Sequence, residues 1–127
     1  MLTVRWMLLC ERAEIRPDGR GNLIGVFSDQ RSPRMPFLIP RLCVAAMFDL
    51  EGDIDEYLHV AIQNAKRQNL FESTLLGFQA QGPGGLSQIF TFEMDNVEIP
   101  VIGRYTVNIN SQVGLLHSIS FRVTQGT

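Results

Sequence analysis

The chain has 127 residues, of which 45% are hydrophobic and 19% charged. That is the composition of a single folded domain over residues 1–127 and not of a disordered segment. Eleven basic and thirteen acidic side chains leave a net charge of −2. The balance argues against nucleic acid as a partner, and no apolar run is long enough to enter a membrane as a helix.

Alternation of apolar and polar residues with period 2 dominates the chain, which is the signature of half-buried strands. Residues 3–15 read as a first strand, bulged or bent near Glu11. Pro17-Asp18-Gly19 is a turn, because Pro presets φ and Gly supplies a positive φ. Residues 22–27 return. Residues 31–40 carry Pro33, Pro36 and Pro40. Each lacks a ladder donor, so the segment reads as a crossover between sheets and not as a central strand.

Residues 41–50 make a third strand, followed by a turn at Glu51-Gly52-Asp53. Residues 57–63 make a fourth, with Leu58, Val60 and Ile62 on one face. Good helix formers at Ala61, Ala65, Lys66 and Arg67 compete there, but the apolar period of 2 favours the strand. Residues 70–79 and 87–95 give two more strands, separated by the loop Gln81-Gly82-Pro83-Gly84-Gly85.

The last two strands form a hairpin. Tyr105, Val107 and Ile109 alternate with Arg104, Thr106, Asn108 and Asn110, and Ile119, Phe121 and Val123 alternate with Ser118, Ser120, Arg122 and Thr124. About eight short strands with turns between them predict an all-β, antiparallel β-sandwich, immunoglobulin-like or C2-like. Its expected core includes Trp6, Leu8, Leu42, Val44, Phe48, Val60, Ile62, Phe90, Phe92, Tyr105 and Phe121.

Trp6-Met7-Leu8-Leu9-Cys10 is only superficially like a lipoprotein cleavage box, since Leu9 stands where a small residue is required. A cytoplasmic location is expected. Cys10 and Cys43 both lie in apolar strands and are expected to stay unpaired.

Leu8-Leu9-Cys10-Glu11-Arg12-Ala13, Pro17-Asp18-Gly19-Arg20 and Asn22-Leu23-Ile24-Gly25 open the chain; Ile99-Pro100, Gly103-Arg104-Tyr105 and Ser120-Phe121-Arg122-Val123 close it. Together they resemble a family of small bacterial β-sandwich proteins of unknown function, with a leucine-leucine-cysteine strand, an Asp-Gly turn and a glycine-x-tyrosine hairpin. Glu11 stands where that pattern often carries Asp. The resemblance implies a fold type and no activity.

Chemistry is sparse. Asp49, Glu51, Asp53, Asp55 and Glu56 cluster around Gly52, vaguely like a calcium loop. The closing bidentate glutamate is missing, because Val60 holds its position, and calcium binding is not expected. His59 and His117 have no cysteine or carboxylate at zinc-ligand spacing. The glycine loop lacks the Lys and Ser/Thr of a phosphate cradle. No catalytic residue, cofactor or metal is therefore expected.

Two readings of function follow. The first is a non-catalytic module acting through contacts with an unidentified protein partner. The second is a small-ligand or carbohydrate binder using loops at one end, with Tyr57, Trp6 or Phe37 as an aromatic floor. For the first, the apolar second faces of two strands matter: Met7 and Leu9 on one, Cys43, Ala45 and Met47 on the other. A two-layer sandwich leaves these faces needing a cover. Either residues 31–40 fold back over them or a two-fold homodimer forms there, and the homodimer is the favoured expectation.

Overall fold

The structure, a computed structural model, describes residues 2–73, 76–80 and 85–126. Eleven strands run through them: β1 (Leu2–Cys10), β2 (Arg12–Ile15), β3 (Gly21–Ile24), β4 (Asp29–Ser32), β5 (Phe37–Glu51), β6 (Ile54–Gln63), β7 (Asn69–Glu72), β8 (Leu76–Ala80), β9 (Gly85–Ile99), β10 (Gly103–Ser111) and β11 (Gly114–Gln125). One sheet has the order β1-β5-β9. A larger one has the order β4-β11-β10-β6-β7, with β8 also paired to β6, and β2-β3 is a separate hairpin. Pairing is antiparallel except between β4 and β11.

The inner faces of the two larger sheets meet in one core. Leu42, Val44, Ala46 and Phe48 of β5 share it with Val60 and Ile62 of β6 and Tyr105, Val107 and Ile109 of β10. This is the expected antiparallel β-sandwich. Within it Tyr105 stacks on Phe121 with ring centroids 5.7 Å apart, and Phe121 meets Phe27 edge-on at 6.2 Å. The Tyr105 hydroxyl donates to the Val101 carbonyl at 2.6 Å, which pins the corner leading into β10.

Several expectations are corrected. The first strand is two, because the chain leaves the β1–β5 ladder after Cys10 and turns into β2. The faces of β1 are also inverted. Its register with β5 slips between Val4 and Trp6, leaving Arg5 as an extra residue. A one-residue slip moves every following side chain to the other face. Met7 and Leu9 therefore enter the core. Trp6 is only half-buried on the outer face, and Leu8 is 39% exposed.

The crossover is shorter than expected, because residues 37–40 already belong to β5. Pro40 is tolerated for two reasons. The β5–β9 register steps from Ile39–Val97 to Arg41–Asp95 and skips it, and β1 reaches along β5 only as far as Cys43. No ladder needs a donor at that position. Residues 70–79 divide between β7 and β8. The loop expected at Gln81–Gly85 lies outside the described residues up to Gly84, and Gly85 begins β9.

On the outer face of the smaller sheet the cover over Cys43 and Ala45 comes from neither of the two expected sources but from a hairpin of this same chain. The β2–β3 hairpin folds back over that face, with Ala13 and Leu23 packed against Cys10, Cys43 and Ala45. Gly21 permits the approach: a Cβ there would stand 3.1 Å from the Ile89 Cδ1.

Candidate ligand face and cleft

The five residues expected to form an interface do not share a surface. Met7 and Leu9 are 5% and 2% exposed in the central core. Cys43 and Ala45 are buried on the opposite side of the smaller sheet, beneath the hairpin. Met47 is half-buried further along that side, in the strand that carries Asp49. The physical reason is the β1 slip, which sends one pair inward, and the hairpin, which seals the other.

Cys10 and Cys43 stand opposite each other across β1 and β5. Both are free thiols. Burial, and then the neighbouring Cys10, push the Cys43 thiol up to about 12. Cys10 is also raised, chiefly by burial. Thiols held protonated in this way are poor nucleophiles.

The acidic turn is dispersed. Asp49 lies in β5, where the Ser87 hydroxyl donates to it at 2.6 Å and Arg5 pairs with it at 2.9 Å. The Ser87 bond, and then Arg5, hold its carboxyl below the usual range. Gly52 makes the turn at φ +73°. Among the described residues no group of three metal-ligating side chains is assembled. His59 lies on the outer face of β6 beside Asn110, with 3.5 Å between the Asn110 amide and Nδ1. His117 stands opposite Ile109, half-buried.

Two features that sequence reasoning passed over are geometrically better formed. The first is the outer face of the larger sheet. Period 2 turns Arg104, Thr106 and Asn108 of β10 outward, with Ser118, Ser120 and Arg122 of β11 beside them. Amides and hydroxyls cross-link this face: Asn108 donates to Gln63 at 3.1 Å, and the Thr106 and Ser120 hydroxyls are 3.5 Å apart.

Arg104 is the direct cross-strand partner of Arg122. Like charges so placed repel and destabilise a sheet. Arg67, in the turn after β6, and Arg104 line one shallow hollow of about 630 Å³. Arg31 and Arg122 line another of about 260 Å³. The four arginines thus form a row over β6, β10, β11 and β4, about 14 Å wide at the usual strand spacing. Among the described residues the ion pairs involve Arg5, Arg12, Arg16, Arg20 and Arg41, and none involves these four. Asp29, aligned with Arg122, is the one carboxylate lining the hollows.

The second feature is a cleft of about 570 Å³ between the β2–β3 hairpin, β4 and the start of β5. Ile24, Phe27, Phe37, Ile39 and Pro40 supply its apolar lining. Glu11, Arg12, Gln30 and Arg41 supply the polar groups. Of the three aromatics expected to make a floor, only Phe37 is here. Tyr57 is 55% exposed on β6, and Trp6 packs under the hairpin. No helix among the described residues is long and apolar enough to cross a membrane.

No match to this chain is found among curated proteins. Among solved structures, the chain is similar to Pseudomonas fluorescens alkylpurine DNA glycosylase AlkC bound to DNA containing an abasic site analog. The TM-score is 0.59 and the identity 11%, over 97% of this chain and 30% of that one. The likeness is one of fold, and this chain spans under a third of that protein's length. It corrects the exclusion of nucleic acid. A chain with this fold occurs in a protein solved on DNA, and a net charge of −2 is a sum that does not describe any one face. The family of unknown function DUF6941 matches residues 5–124, and the chain belongs to it.

Proposed function

We propose that the chain is a non-catalytic binding module whose working surface is the outer face of the larger sheet, and that this face takes the phosphate backbone of a nucleic acid. The observation that carries the reading is the Arg104–Arg122 cross-strand pair. Two guanidiniums at directly paired positions, neither of them in an ion pair among the described residues and with Asp29 the single carboxylate nearby, are most favourably relieved by an anion between them. Arg31 and Arg67 extend the row in both directions, so the complement is a line of anions and not a single one. Side-chain amides and hydroxyls around them suit phosphate and sugar oxygens, which carry no sequence information. Binding is therefore weak in specificity and strongly dependent on salt. The fold likeness to a glycosylase solved on DNA supports this reading without assigning that protein's chemistry to this chain.

The test is fluorescence anisotropy with labelled 20-nucleotide single-stranded DNA, duplex DNA and RNA across a salt series. Binding is expected at low salt. Replacing Arg104 and Arg122 together by Ala should weaken it and lower the log–log salt slope by about 2, one for each phosphate no longer neutralised. The face is exposed, so the double variant keeps its fold. No binding of any of the three at low salt, or an unchanged slope in the double variant, rejects the proposal.

A further inference from the structure

The cleft beside the hairpin is separate from the arginine row and has a different chemistry. We propose that it is a site for a small amphipathic carboxylate, a molecule with an apolar body and one anionic end. Its volume of about 570 Å³ lies in the range of small-molecule sites. The apolar lining is anchored and not a loose surface. Ile39 is 3% exposed. Phe27 packs edge-on against the core residue Phe121, and its amide donates to the Leu9 carbonyl at 2.9 Å.

The opening exists because of a break in strand pairing. β1 accompanies β5 only to Cys43, then leaves as β2. Phe37, Ile39 and Arg41 keep β9 on one side and, among the described residues, have no strand on the other. The departing chain is held at a fixed distance. The Glu11 amide donates to the Ile24 carbonyl at 3.0 Å. Gly25, at φ +70°, lies so close to Glu11 that a Cβ would come within 2.7 Å of its Cγ. Ala13 and Leu23 of the hairpin pack on Cys43 and Ala45 further along β5, while its base, at Glu11, Arg12 and Ile24, lines the space beside the start of β5.

Charge selects the ligand's polar end. Arg12 and Arg41 both line the cleft, against one carboxylate, Glu11. Their own acidic neighbours are loosely held: Arg12 stands 3.6 Å from Glu14 and Arg41 stands 3.9 Å from Asp95. Both distances exceed a good hydrogen bond, so guanidinium donors remain for a carboxylate, which they can grip in a forked geometry. The apolar body then lies against Phe27, Phe37 and Ile39.

Isothermal titration calorimetry with 4-phenylbutyrate, set against the neutral 4-phenylbutan-1-ol, tests this. The carboxylate is expected to bind about tenfold or more tightly than the alcohol, the value of one charge-assisted hydrogen bond. Arg41→Gln and Arg12→Gln should each reduce carboxylate affinity by a similar factor and leave the weak alcohol binding unchanged. Arg104→Ala, on the sheet face, should change neither, which separates this site from the nucleic-acid surface. Both cleft arginines are exposed, and an unchanged far-ultraviolet spectrum certifies each variant. The proposal is overturned by an absence of heat with 4-phenylbutyrate at several millimolar, by equal affinity for acid and alcohol, or by wild-type affinity in both Gln variants.

Discussion

The inverted face of β1 makes a sharp energetic prediction about two adjacent leucines. Leu9 is 2% exposed in the central core, whereas Leu8 is 39% exposed on the other side of the strand. Leu9→Ala removes buried methyl groups and leaves a cavity, and such truncations cost about 3–5 kcal/mol. Leu8→Ala removes partly solvated groups beside the small cluster beneath the hairpin, and should cost under about 1 kcal/mol. The assay is urea unfolding followed by the fluorescence of the single tryptophan, Trp6. At a typical slope of about 1.5 kcal/mol per molar for a chain of this size, the midpoint should fall by about 2–3 M for Leu9→Ala and by less than about 0.7 M for Leu8→Ala. If Leu8→Ala is the costlier of the two, the slip between Val4 and Trp6 does not exist and the assignment of faces is wrong.

Two further outcomes are expected. Gly25→Ala should destabilise by about 1–3 kcal/mol, through a positive φ and the collision with Glu11; denaturation midpoints equal to wild type would show that the hairpin shifts freely. The Cys43 thiol, at about 12 when folded, holds its proton above pH 9 while the unfolded thiol releases it. The unfolded state then binds fewer protons, so stability falls as pH rises from about 9 to 12, by about 4 kcal/mol in all. Chemical denaturation of Cys43→Ala across that window should show a flatter fall; parallel curves would refute the assignment.

The legible parts of the fold are those with strict alternation and a known turn. In β10, Tyr105, Val107 and Ile109 are all buried, as period 2 requires. The Asp18-Gly19 turn and the Gly52 turn form where the glycines stand, at φ +87° and +73°. In β5, apolar side chains occupy both faces, and alternation alone cannot say what covers the second one. The cover is the β2–β3 hairpin, and only tertiary folding brings Ala13 and Leu23 onto Cys43 and Ala45. Sequence reasoning weighs only the proline-rich segment or a partner copy as the cover, because it takes residues 12–15 as the continuation of the first strand and not as half of a separate hairpin. The cleft is invisible for a related reason. Glu11, Phe27 and Arg41 are scattered in sequence, and they converge only because β1 abandons β5 after Cys10.

The arginine row depends on a single extra residue in the same way. At the end of the last hairpin Ser111 pairs with Gly114 and Asn110 with Leu115, but from Ile109 onward the partner is His117 and the register has moved by one. Leu116 is the residue left over. Had the register of the turn simply continued, Tyr105 would oppose Ser120 and Arg104 would oppose Phe121, mixing the wet and dry faces along the whole ladder. The slip instead places Tyr105 against Phe121 in the core, and the same movement sets Arg104 against Arg122 on the outside. The energy that fixes this register comes from burying the aromatic pair, and the repulsion between the arginines is small beside it. The core therefore imposes the arginine pair on the surface. Deleting Leu116 should remove the slip and keep both the short turn and the aromatic pair, because with Leu115 next to His117 the register of the turn runs straight on to set Tyr105 against Phe121 and Arg104 against Arg122. The deleted chain is therefore expected to fold, to bury Tyr105 and Phe121 together and to bind nucleic acid as wild type does; loss of the fold would show that the extra residue is itself needed to bend the ladder. If it binds nucleic acid as wild type does while Tyr105 becomes solvent-exposed, the link between core register and arginine row is broken.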